Sequence, residues 1–537
     1  MAKCLSCGAE LRFDIKTQRL ICDHCGVSAD PYEYDAKDAA QDEASAAYPV
    51  NVFTCPNCGG EIISTAESAT EFCTYCGAQV MLEQRLDQAK RPDLILPFMK
   101  TRDDLKKCYR AKIRKAIFAP RDMKDPAAID SFRGIYMPYW VYDIEKHGHA
   151  QENGSHSHTS GDTEYTDHFT VDFEIDASYK GIAFDASSSF EDDIGDSISP
   201  FDASKARPFT PSMISGFYAD TADVPQDVYD EDARQLAAED IHRRLDDRKE
   251  LSSITLSDRD MVITGENISA KSALFPVWFM CYRKGGRVAY SVINGETGNM
   301  AMDMPIDPVR YILFSMLLAI PVYGILEICF MSSAPAMLVF ATVLMQIGFL
   351  LYAWEIRKTC AKDAHAGDRG YEASVKKAEE DKAGKAPQKP VVENKKSRKK
   401  KKKEQVEEDS LRFRHKPDIW EVIVYAGIGI FLLFIALDIG LILSYLLVDC
   451  AAALMAWFWL DEYGRKFDAL MWLSVLMPLI TLGILFWDPV SDNVYYTAAI
   501  VVIAAVLLQM KGVLRQYNML STRKLPQFNK KGGDNRA

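Results

Sequence analysis

The sequence predicts a multidomain protein with two small cysteine-rich ribbons, an α+β domain and an all-α membrane region of about six transmembrane helices. Three observations predict this fold class: a repeated cysteine pattern, a long stretch of mixed composition and a series of apolar runs. We divide the chain into a first ribbon at 1–30, a linker at 31–50, a second ribbon at 51–82, an α+β domain at 83–308, two membrane helices within 309–355, a basic disordered linker at 356–417, four membrane helices within 418–511 and a tail at 512–537.

Eight of the 13 cysteines form two copies of one pattern, in which two Cys-x-x-Cys pairs stand fourteen residues apart. Each pair directs two sulfur atoms at one centre, and two pairs complete a tetrahedral zinc site. Glycine follows each second cysteine, where the backbone needs a conformation that costs glycine least. We therefore predict two structural zinc ions, which are bound by Cys4, Cys7, Cys22 and Cys25 and by Cys55, Cys58, Cys73 and Cys76.

The alternative is that these cysteines are redox-active pairs. That interpretation requires a βαβ context. It also does not explain why two Cys-x-x-Cys pairs occur together, with the same spacing, in both copies. Thiolates that are free to bind zinc require a reducing compartment, so we expect this end of the chain to be cytoplasmic. The first residues contain no apolar run, and we expect no cleavable signal peptide.

The α+β domain shows clear local signals. Thr101, with an acid at Asp104, predicts a helix N-terminus, and an amphipathic pattern continues to about residue 118. Alternating apolar residues predict a long hairpin and then a second hairpin around Gly285-Gly286. The predicted strands are 137–143, 165–175, 277–282 and 287–293, with a helix at 231–250.

Six apolar runs are long enough to cross a bilayer, which takes about 20 residues. They are 311–331, 334–354, 419–437, 439–460, 469–487 and 494–510. The connectors at 332–335, 438 and 488–493 contain no lysine or arginine, whereas the opposite ends are basic. This asymmetry predicts a multi-pass protein of the cell membrane with both termini cytoplasmic. At Asp438, one long bent or re-entrant segment remains an alternative to two spans.

The linker between the second and third predicted spans is basic and poor in aromatic residues, which predicts disorder or loose helix. Its most basic part has eight lysines or arginines in nine residues. This run is either a solvated tether or a contact with anionic membrane lipid. The residues that would contact lipid are Lys395, Lys396, Arg398, Lys399, Lys400, Lys401, Lys402 and Lys403.

Two charged residues, Glu327 and Asp449, lie inside apolar runs. Such residues are costly in a membrane and often functional. They indicate an ion or proton path, hydrogen bonds between helices, or a misplaced span boundary. Elsewhere, five histidines between His147 and His168 indicate either a metal site or an exposed polar hairpin tip, and we favour the tip. The acidic segment 185–202 lacks the spacing of a calcium loop, which favours a solvated loop over a cation site.

Several stretches of the chain resemble a known family. They are the paired ribbons, PDLILPF at 92–98, GIYMPYW at 134–140, DASSS at 185–189, DSISPFD at 196–202, FPVW at 275–278 and NGETG at 294–298. Together they are similar to a family of bacterial membrane proteins that carry zinc ribbons, often labelled TFIIB-type. The resemblance covers residues 1 to about 310. It implies a bacterial source and no established activity.

The sequence predicts no enzyme, because phosphate loops of the Walker type, HExxH and GxSxG are all missing. Nucleic-acid binding depends on basic residues, yet residues 1–90 contain fourteen acidic and seven basic residues. We expect a membrane-anchored protein whose ribbons bind or organise a cytoplasmic or membrane protein partner. The alternatives are a transporter or ion-conducting protein with regulatory ribbons, a nucleic-acid-binding ribbon protein, and an enzyme of unrecognised type.

Overall fold

The fold is taken from a computed structural model of the chain. The structure describes residues 2–38, 47–64, 73–78, 83–125, 131–160, 163–189, 191–246, 255–256, 265–329, 333–376, 440–526 and 528. The chain divides into two compact units. The sheet unit comprises Met1–Asp303, Gly367–Asp381 and Thr522–Ala537, and the helical unit comprises Met304–Ala366 and Lys382–Ser521.

The first ribbon is a small antiparallel sheet at the start of the sheet unit. Its strands are β1 (Leu11–Asp14), β2 (Arg19–Cys22) and β3 (Ser28–Ala29), and helix α1 (Pro31–Asp38) follows them. The side chains of Phe13 and Leu20 are almost fully buried. Behind the ribbon, the Asp35 carboxylate accepts hydrogen bonds from Thr210 and Ser212, which fixes α1 to the rest of the unit.

A sheet of thirteen strands forms the body of the sheet unit. Its longest strands are β8 (Arg133–Ser160), β9 (Thr163–Asp185) and β13 (Gly265–Lys284). The others are β4 (Ala47–Thr54), β5 (Glu61–Ser64), β6 (Glu83–Lys90), β7 (Leu94–Ile95), β10 (Arg207–Pro208), β11 (Tyr218–Ala219), β12 (Thr255–Leu256), β14 (Arg287–Asn294), β15 (Met300–Met302) and β16 (Arg523–Lys524).

Both predicted hairpins are confirmed. Strands β8 and β9 pair in antiparallel register from Tyr139 opposite Asp185 outward, well beyond the predicted limits. Strand β13 pairs with the other edge of β8, from Gly265 opposite His147 to Phe279 opposite Arg133. The second hairpin joins β13 to β14 through Gly285, whose φ of 61° is the left-handed conformation that glycine adopts at little cost.

The sheet unit contains the helices α1, α2 (Arg102–Lys115), α3 (Asp192–Ile198) and α4 (Asp230–Asp246), together with a helical segment at 369–376. The predicted N-terminus of α2 is confirmed, because Thr101 and Asp104 form a reciprocal capping box. The helix ends at Lys115, earlier than predicted, and it buries Leu105, Tyr109 and Ile113. These residues lie four positions apart, so they share one helix face.

An aromatic core joins four of the stretches that resemble the zinc-ribbon family. The Phe98 ring stacks on Phe217 at 4.5 Å and lies 5.1 Å from Trp278 and 5.0 Å from Tyr136. A Cβ added to Gly295 would lie 2.7 Å from the Phe98 ring, so only glycine fits at this position. These stretches therefore specify packing at the centre of the sheet unit.

The helical unit contains five helices in its described part. They are α5 (Pro308–Cys329), α6 (Ala334–Asp363), α7 (Gly440–Asp461), α8 (Ala469–Trp487) and α9 (Asp492–Leu520). The bounds of α8 agree with the predicted run at 469–487, and the Asp468 side chain caps its N-terminus. Helices α6 and α9 continue about two and a half helical turns or more beyond the predicted runs, to Asp363 and Leu520.

The predicted total of six membrane spans is not supported. Within the described residues, only α6, α8 and α9 are long enough and apolar enough to cross a membrane. Helix α5 contributes a shorter apolar stretch, Pro308–Pro321, and the predicted run at 419–437 lies outside the described residues. The structure thus shows three helices capable of spanning a membrane, which indicates membrane association.

Candidate metal centres and buried polar clusters

The first cysteine centre lies at one end of the first ribbon. The sulfur atoms of Cys4, Cys7, Cys22 and Cys25 all lie within 4.8 Å of one another. The Cys4–Cys25 and Cys7–Cys22 sulfur pairs are each 3.5 Å apart. A zinc ion with Zn–S bonds of about 2.3 Å in a tetrahedron requires sulfur atoms about 3.8 Å apart. The four thiols therefore fit a tetrahedral metal ion.

The second centre has the same composition. Two of its cysteines follow β4 and the other two lie between β5 and β6. Cys55, Cys58, Cys73 and Cys76 meet the same 4.8 Å criterion. Their sulfur atoms are 3.9 Å apart for Cys55–Cys76 and 3.7 Å apart for Cys58–Cys73. The sulfur–sulfur distance of about 3.8 Å in a zinc–thiolate tetrahedron lies between these two separations. The grouping of the eight predicted cysteines into two sites that can each hold a metal ion is confirmed, whereas zinc as that metal stays a prediction.

All four Cys-x-x-Cys pairs share one backbone turn, which we call the cysteine knuckle. The N–H of the first cysteine donates to the carbonyl five residues later, and the following glycine N–H donates back to the cysteine carbonyl. Gly8, Gly26, Gly59 and Gly77 have φ between 62° and 75°, as the sequence pattern predicted. In the first turn, backbone hydrogen bonds from Ser6 and then Cys7 hold the pKa of Cys4 at about 6, which favours the thiolate that binds metal.

A fifth loop has the same backbone turn without cysteine. The Asn294 N–H donates to the Asn299 carbonyl, and Gly298 N–H donates to the Asn294 carbonyl. The Asn294 Oδ1 accepts the N–H groups of Glu296 and Thr297 at 2.8 and 3.0 Å, as the first sulfur of a knuckle accepts the equivalent N–H groups. This likeness to the Cys-x-x-Cys turns lies in the backbone hydrogen bonds and not in the residue types.

The two centres differ in access to solvent. Cys7 and Cys25 are exposed, whereas every cysteine of the second centre is at most 1% exposed. A C-terminal strap, residues 523–526 and 528, covers the second centre. Strand β16 of this strap pairs with β14, and the Phe528 N–H donates to the Cys58 carbonyl at 2.7 Å. The Phe528 ring lies 5.2 Å from Tyr75, so the strap contributes apolar cover to the metal site.

The acidic segment 185–202 is not uniformly solvated, and our expectation of a solvated loop is wrong for Asp185 and Asp192. Asp185 is 5% exposed, and its Oδ1 atom has no hydrogen-bond partner within the described residues. Asp192 accepts hydrogen bonds from Tyr229 and from the backbone N–H of Arg369. Desolvation, with the nearby charges of Asp192 and Asp368, raises the pKa of Asp185 well above its usual range.

The third carboxylate of this acidic cluster belongs to a segment that sequence reasoning assigned to the linker. Residues 369–376 are helical and belong to the sheet unit. Asp368 is 8% exposed and accepts the backbone N–H of Tyr371 at 2.8 Å. The Arg369 guanidinium forms an ion pair with Asp232. No local pattern in the sequence connects Asp368 with carboxylates nearly two hundred residues earlier.

The five histidines lie within the paired strands β8 and β9 and not in a polar tip between shorter strands, so the predicted tip is wrong in its position. His147 forms an ion pair with Asp176 at 2.9 Å, and His158 lies 3.8 Å from Asp167. Both histidine side chains are more than half exposed. In the part of the chain that the structure describes, the only clusters of three or more histidine, cysteine, aspartate or glutamate side chains with the geometry of metal ligands are those of the eight cysteines.

Of the two charged residues in apolar runs, the structure describes the side chain of Asp449 only. It is 4% exposed and accepts a hydrogen bond from Gln346 at 2.7 Å. Glu327 lies in α5, but its side chain is outside the described residues, as is the basic run Lys395 to Lys403. The possible lipid contact therefore stays a prediction.

Comparison with known proteins gives one relative of interest. The chain is 27% identical over 316 residues to the uncharacterized protein YdjG of Bacillus subtilis (strain 168), which covers 57% of this chain and 90% of that protein. No family model matches the chain, and no solved structure matches it. Membership of a TFIIB-type zinc-ribbon family therefore stays a prediction.

We predict that a chelator removes metal from the two centres at different rates. The exposed Cys7 and Cys25 are accessible to a chelator, whereas the second centre must open first, because its sulfur atoms are buried. In full-length protein, metal release measured with a colorimetric chelator should show a fast phase and a slow phase, each of one ion per chain. Cys7→Ser should remove the fast phase, and the matched variant Cys58→Ser should remove the slow phase. A fast phase that survives in Cys7→Ser would contradict this assignment.

We also predict that Asp185→Asn makes the acidic cluster less sensitive to pH. Because burial raises the pKa of Asp185, the folded state holds its proton more tightly than the unfolded state. Stability from this group is present below the unfolded pKa of about 4 and is lost as pH rises through the folded pKa. Hydrogen exchange of residues 367–376 should therefore accelerate with pH beyond its intrinsic dependence, and less so in Asp185→Asn. Asp193→Asn, which alters an exposed carboxylate of α3, should behave like the parent protein.

Proposed function

We propose that this chain is a multi-pass membrane protein whose zinc-bound ribbons dock a cytoplasmic or membrane protein partner, without catalysis. The observation that carries the proposal is the exposed end of the first ribbon. Leu5, beside the ligand Cys4, is 80% exposed, and Val27, beside the turn at Cys25, is 42% exposed. Metal-bound knuckles would hold both apolar side chains rigidly in solvent.

Rigid apolar side chains suit a protein partner. They lose little conformational entropy when a partner covers them, so more of the contact energy remains as affinity. An electrostatic argument supports protein over nucleic acid, because acidic residues outnumber basic ones two to one in residues 1–90. Among the described residues, the ribbons also lack a stacked array of basic and aromatic side chains that would offset this charge.

The helical unit supports the membrane part of the proposal. Three helices that can cross a bilayer would anchor the sheet unit at a membrane. The lysine and arginine asymmetry favours six spans, a cell-membrane location and both termini cytoplasmic. In this arrangement the basic run at 395–403 would lie on the cytoplasmic side, where it could contact anionic lipid. Reducing conditions on that side would keep the cysteine thiolates available for zinc.

One observation favours a second candidate function, ion binding or transport within the helices. Asp449 is a buried acid in an apolar helix, and such residues often line ion or proton paths. Nucleic-acid binding has no comparable support from the described residues.

We predict that Leu5→Asp and Val27→Asp abolish capture of the partner without loss of metal. Crosslinking of full-length protein in native membranes should give a specific adduct that disappears in both variants, because an apolar anchor can contribute about 2 kcal/mol to an interface. Ile117→Asp, which changes a residue 63% exposed elsewhere on the sheet unit, is the matched control. An adduct that persists in both ribbon variants and fails in the control would overturn the proposal. Salt-sensitive binding of DNA or RNA by the parent, but not by the ribbon variants, would favour a nucleic-acid partner.

We predict that a topology reporter placed after Lys403 reads as cytoplasmic and that one inserted at Ser491 reads as external. The reason is that the connector 488–493 has no lysine or arginine, whereas the stretch 395–403 is almost entirely basic. Protease protection of intact cells provides an independent measurement. If both sites read as cytoplasmic, the proposed number of spans is wrong.

A further inference from the structure

A buried polar layer crosses the helical unit at the level of Asp449. Gln346 on α6 donates its Nε2 hydrogens to the Asp449 carboxylate at 2.7 Å and to the Ser474 carbonyl at 3.3 Å. Gln509 on α9 donates to the Ser474 hydroxyl at 2.6 Å. Each residue comes from a different helix, so α6, α7, α8 and α9 all contribute to one polar cluster.

Pro478 explains why a backbone carbonyl takes part in this cluster. Proline has no N–H, so a proline inside a helix leaves the carbonyl four residues earlier without its usual partner. In α8 that carbonyl belongs to Ser474, and it is the atom that Gln346 contacts. The proline thus presents a backbone oxygen to the interior of the helical unit, next to the Asp449 carboxylate.

The cluster contains more hydrogen-bond acceptors than donors. Gln346 Oε1 and Gln509 Oε1 have no hydrogen-bond partner within the described residues, although Gln509 is only 1% exposed. Asp449 receives one hydrogen bond, from Gln346, which is too little to stabilise a buried charge. Buried amide oxygens without donors are rare in folded proteins, because each costs about 1–3 kcal/mol. A cation would satisfy the carboxylate and the amide oxygens at once.

Apolar layers lie on either side of the cluster. One contains Leu338, Met345 and Val502, and the other contains Phe349, Ala456 and Met471. All of these side chains are at most 1% exposed. An ion in the polar layer would therefore be screened from water by packed side chains, and its ligands would be a carboxylate, a hydroxyl, a carbonyl and amide oxygens. Hard cations prefer this set of oxygen donors.

We propose that Asp449, Gln346, Ser474 and Gln509 form a binding site for a small monovalent cation, such as sodium, between the four helices. The negative charge of Asp449 balances the single positive charge of the ion. The Ser474 carbonyl that Pro478 frees and the two amide oxygens replace its hydration shell. A divalent ion would leave one charge unbalanced in an apolar environment, which disfavours it.

The inference rests on the membrane placement proposed above, and the two can fail separately. Membrane placement is measured by fractionation: the parent protein should remain in membranes until detergent is added. Ion binding is measured on the full chain in lipid nanodiscs, as the change in thermal unfolding midpoint when sodium chloride replaces equimolar choline chloride. We expect a saturable rise in the midpoint with sodium that choline does not produce.

Variants locate the site. Asp449→Asn should abolish the sodium-dependent shift, and Gln509→Leu should raise the sodium concentration at half-maximal shift by tenfold or more. Asp461→Asn, at the exposed end of the same helix, should retain the parent response. If Asp449→Asn does not fold, comparison of Gln509→Leu with Asp461→Asn still tests the site. Only Gln509→Leu alters the polar cluster, so only this variant should weaken the response to sodium.

Three results would overturn the proposal. A shift that depends on pH between 6 and 8 but not on sodium would show that a proton, and not a metal cation, neutralises Asp449. A midpoint that depends on neither would show that the polar layer only joins the helices by hydrogen bonds. Sodium dependence that survives in Asp449→Asn would place the ion elsewhere in the chain.

Discussion

Four thiols held within 4.8 Å of one another are the constraint on which the N-terminal part of the sheet unit depends. As thiolates they would repel one another, and a cation at the centre would offset that repulsion. The first ribbon has short strands and a small buried core, chiefly Phe13 and Leu20. A metal ion would stabilise the ribbon where a core of this size cannot. It would thereby hold the strands, the turns and the exposed apolar residues in place.

The two centres have the same four-cysteine ligand set but differ in how far the rest of the sheet unit covers them. In the second centre, the Tyr290 hydroxyl donates to the Tyr75 carbonyl at 2.8 Å, and the C-terminal strap covers Cys58. This centre is part of the large sheet and joins residues more than four hundred positions apart in sequence. The first centre has only partial cover, which leaves Leu5 and Val27 in solvent. One site is thus suited to holding the sheet unit together, and the other to presenting a surface.

Local patterns in the sequence predicted the structural features that are formed by residues close together in the chain. Cysteine spacing predicted both clusters, the Thr101–Asp104 pair predicted the start of α2, and Gly285-Gly286 predicted a hairpin. Sites assembled from distant segments were not predictable in this way. Asp185, Asp192 and Asp368 meet only after folding, and Gln346 and Gln509 are unremarkable amides within apolar runs. Pro478, four residues after Ser474, was a usable signal for the polar cluster of the helical unit, since a proline in a helix frees a carbonyl.

The total of six spans illustrates the limit of hydropathy, which measures composition and not the bounds of helices. Within the described residues it identified α8 correctly but ended α6 and α9 too early. The central claim, that two Cys4 centres organise the sheet unit, is tested most directly by X-ray absorption at the zinc edge, together with elemental analysis of the full-length protein. The account predicts two zinc ions per chain, each with four sulfur ligands at about 2.3 Å. Iron in place of zinc, fewer than two ions, or a first shell that contains nitrogen or oxygen would contradict it.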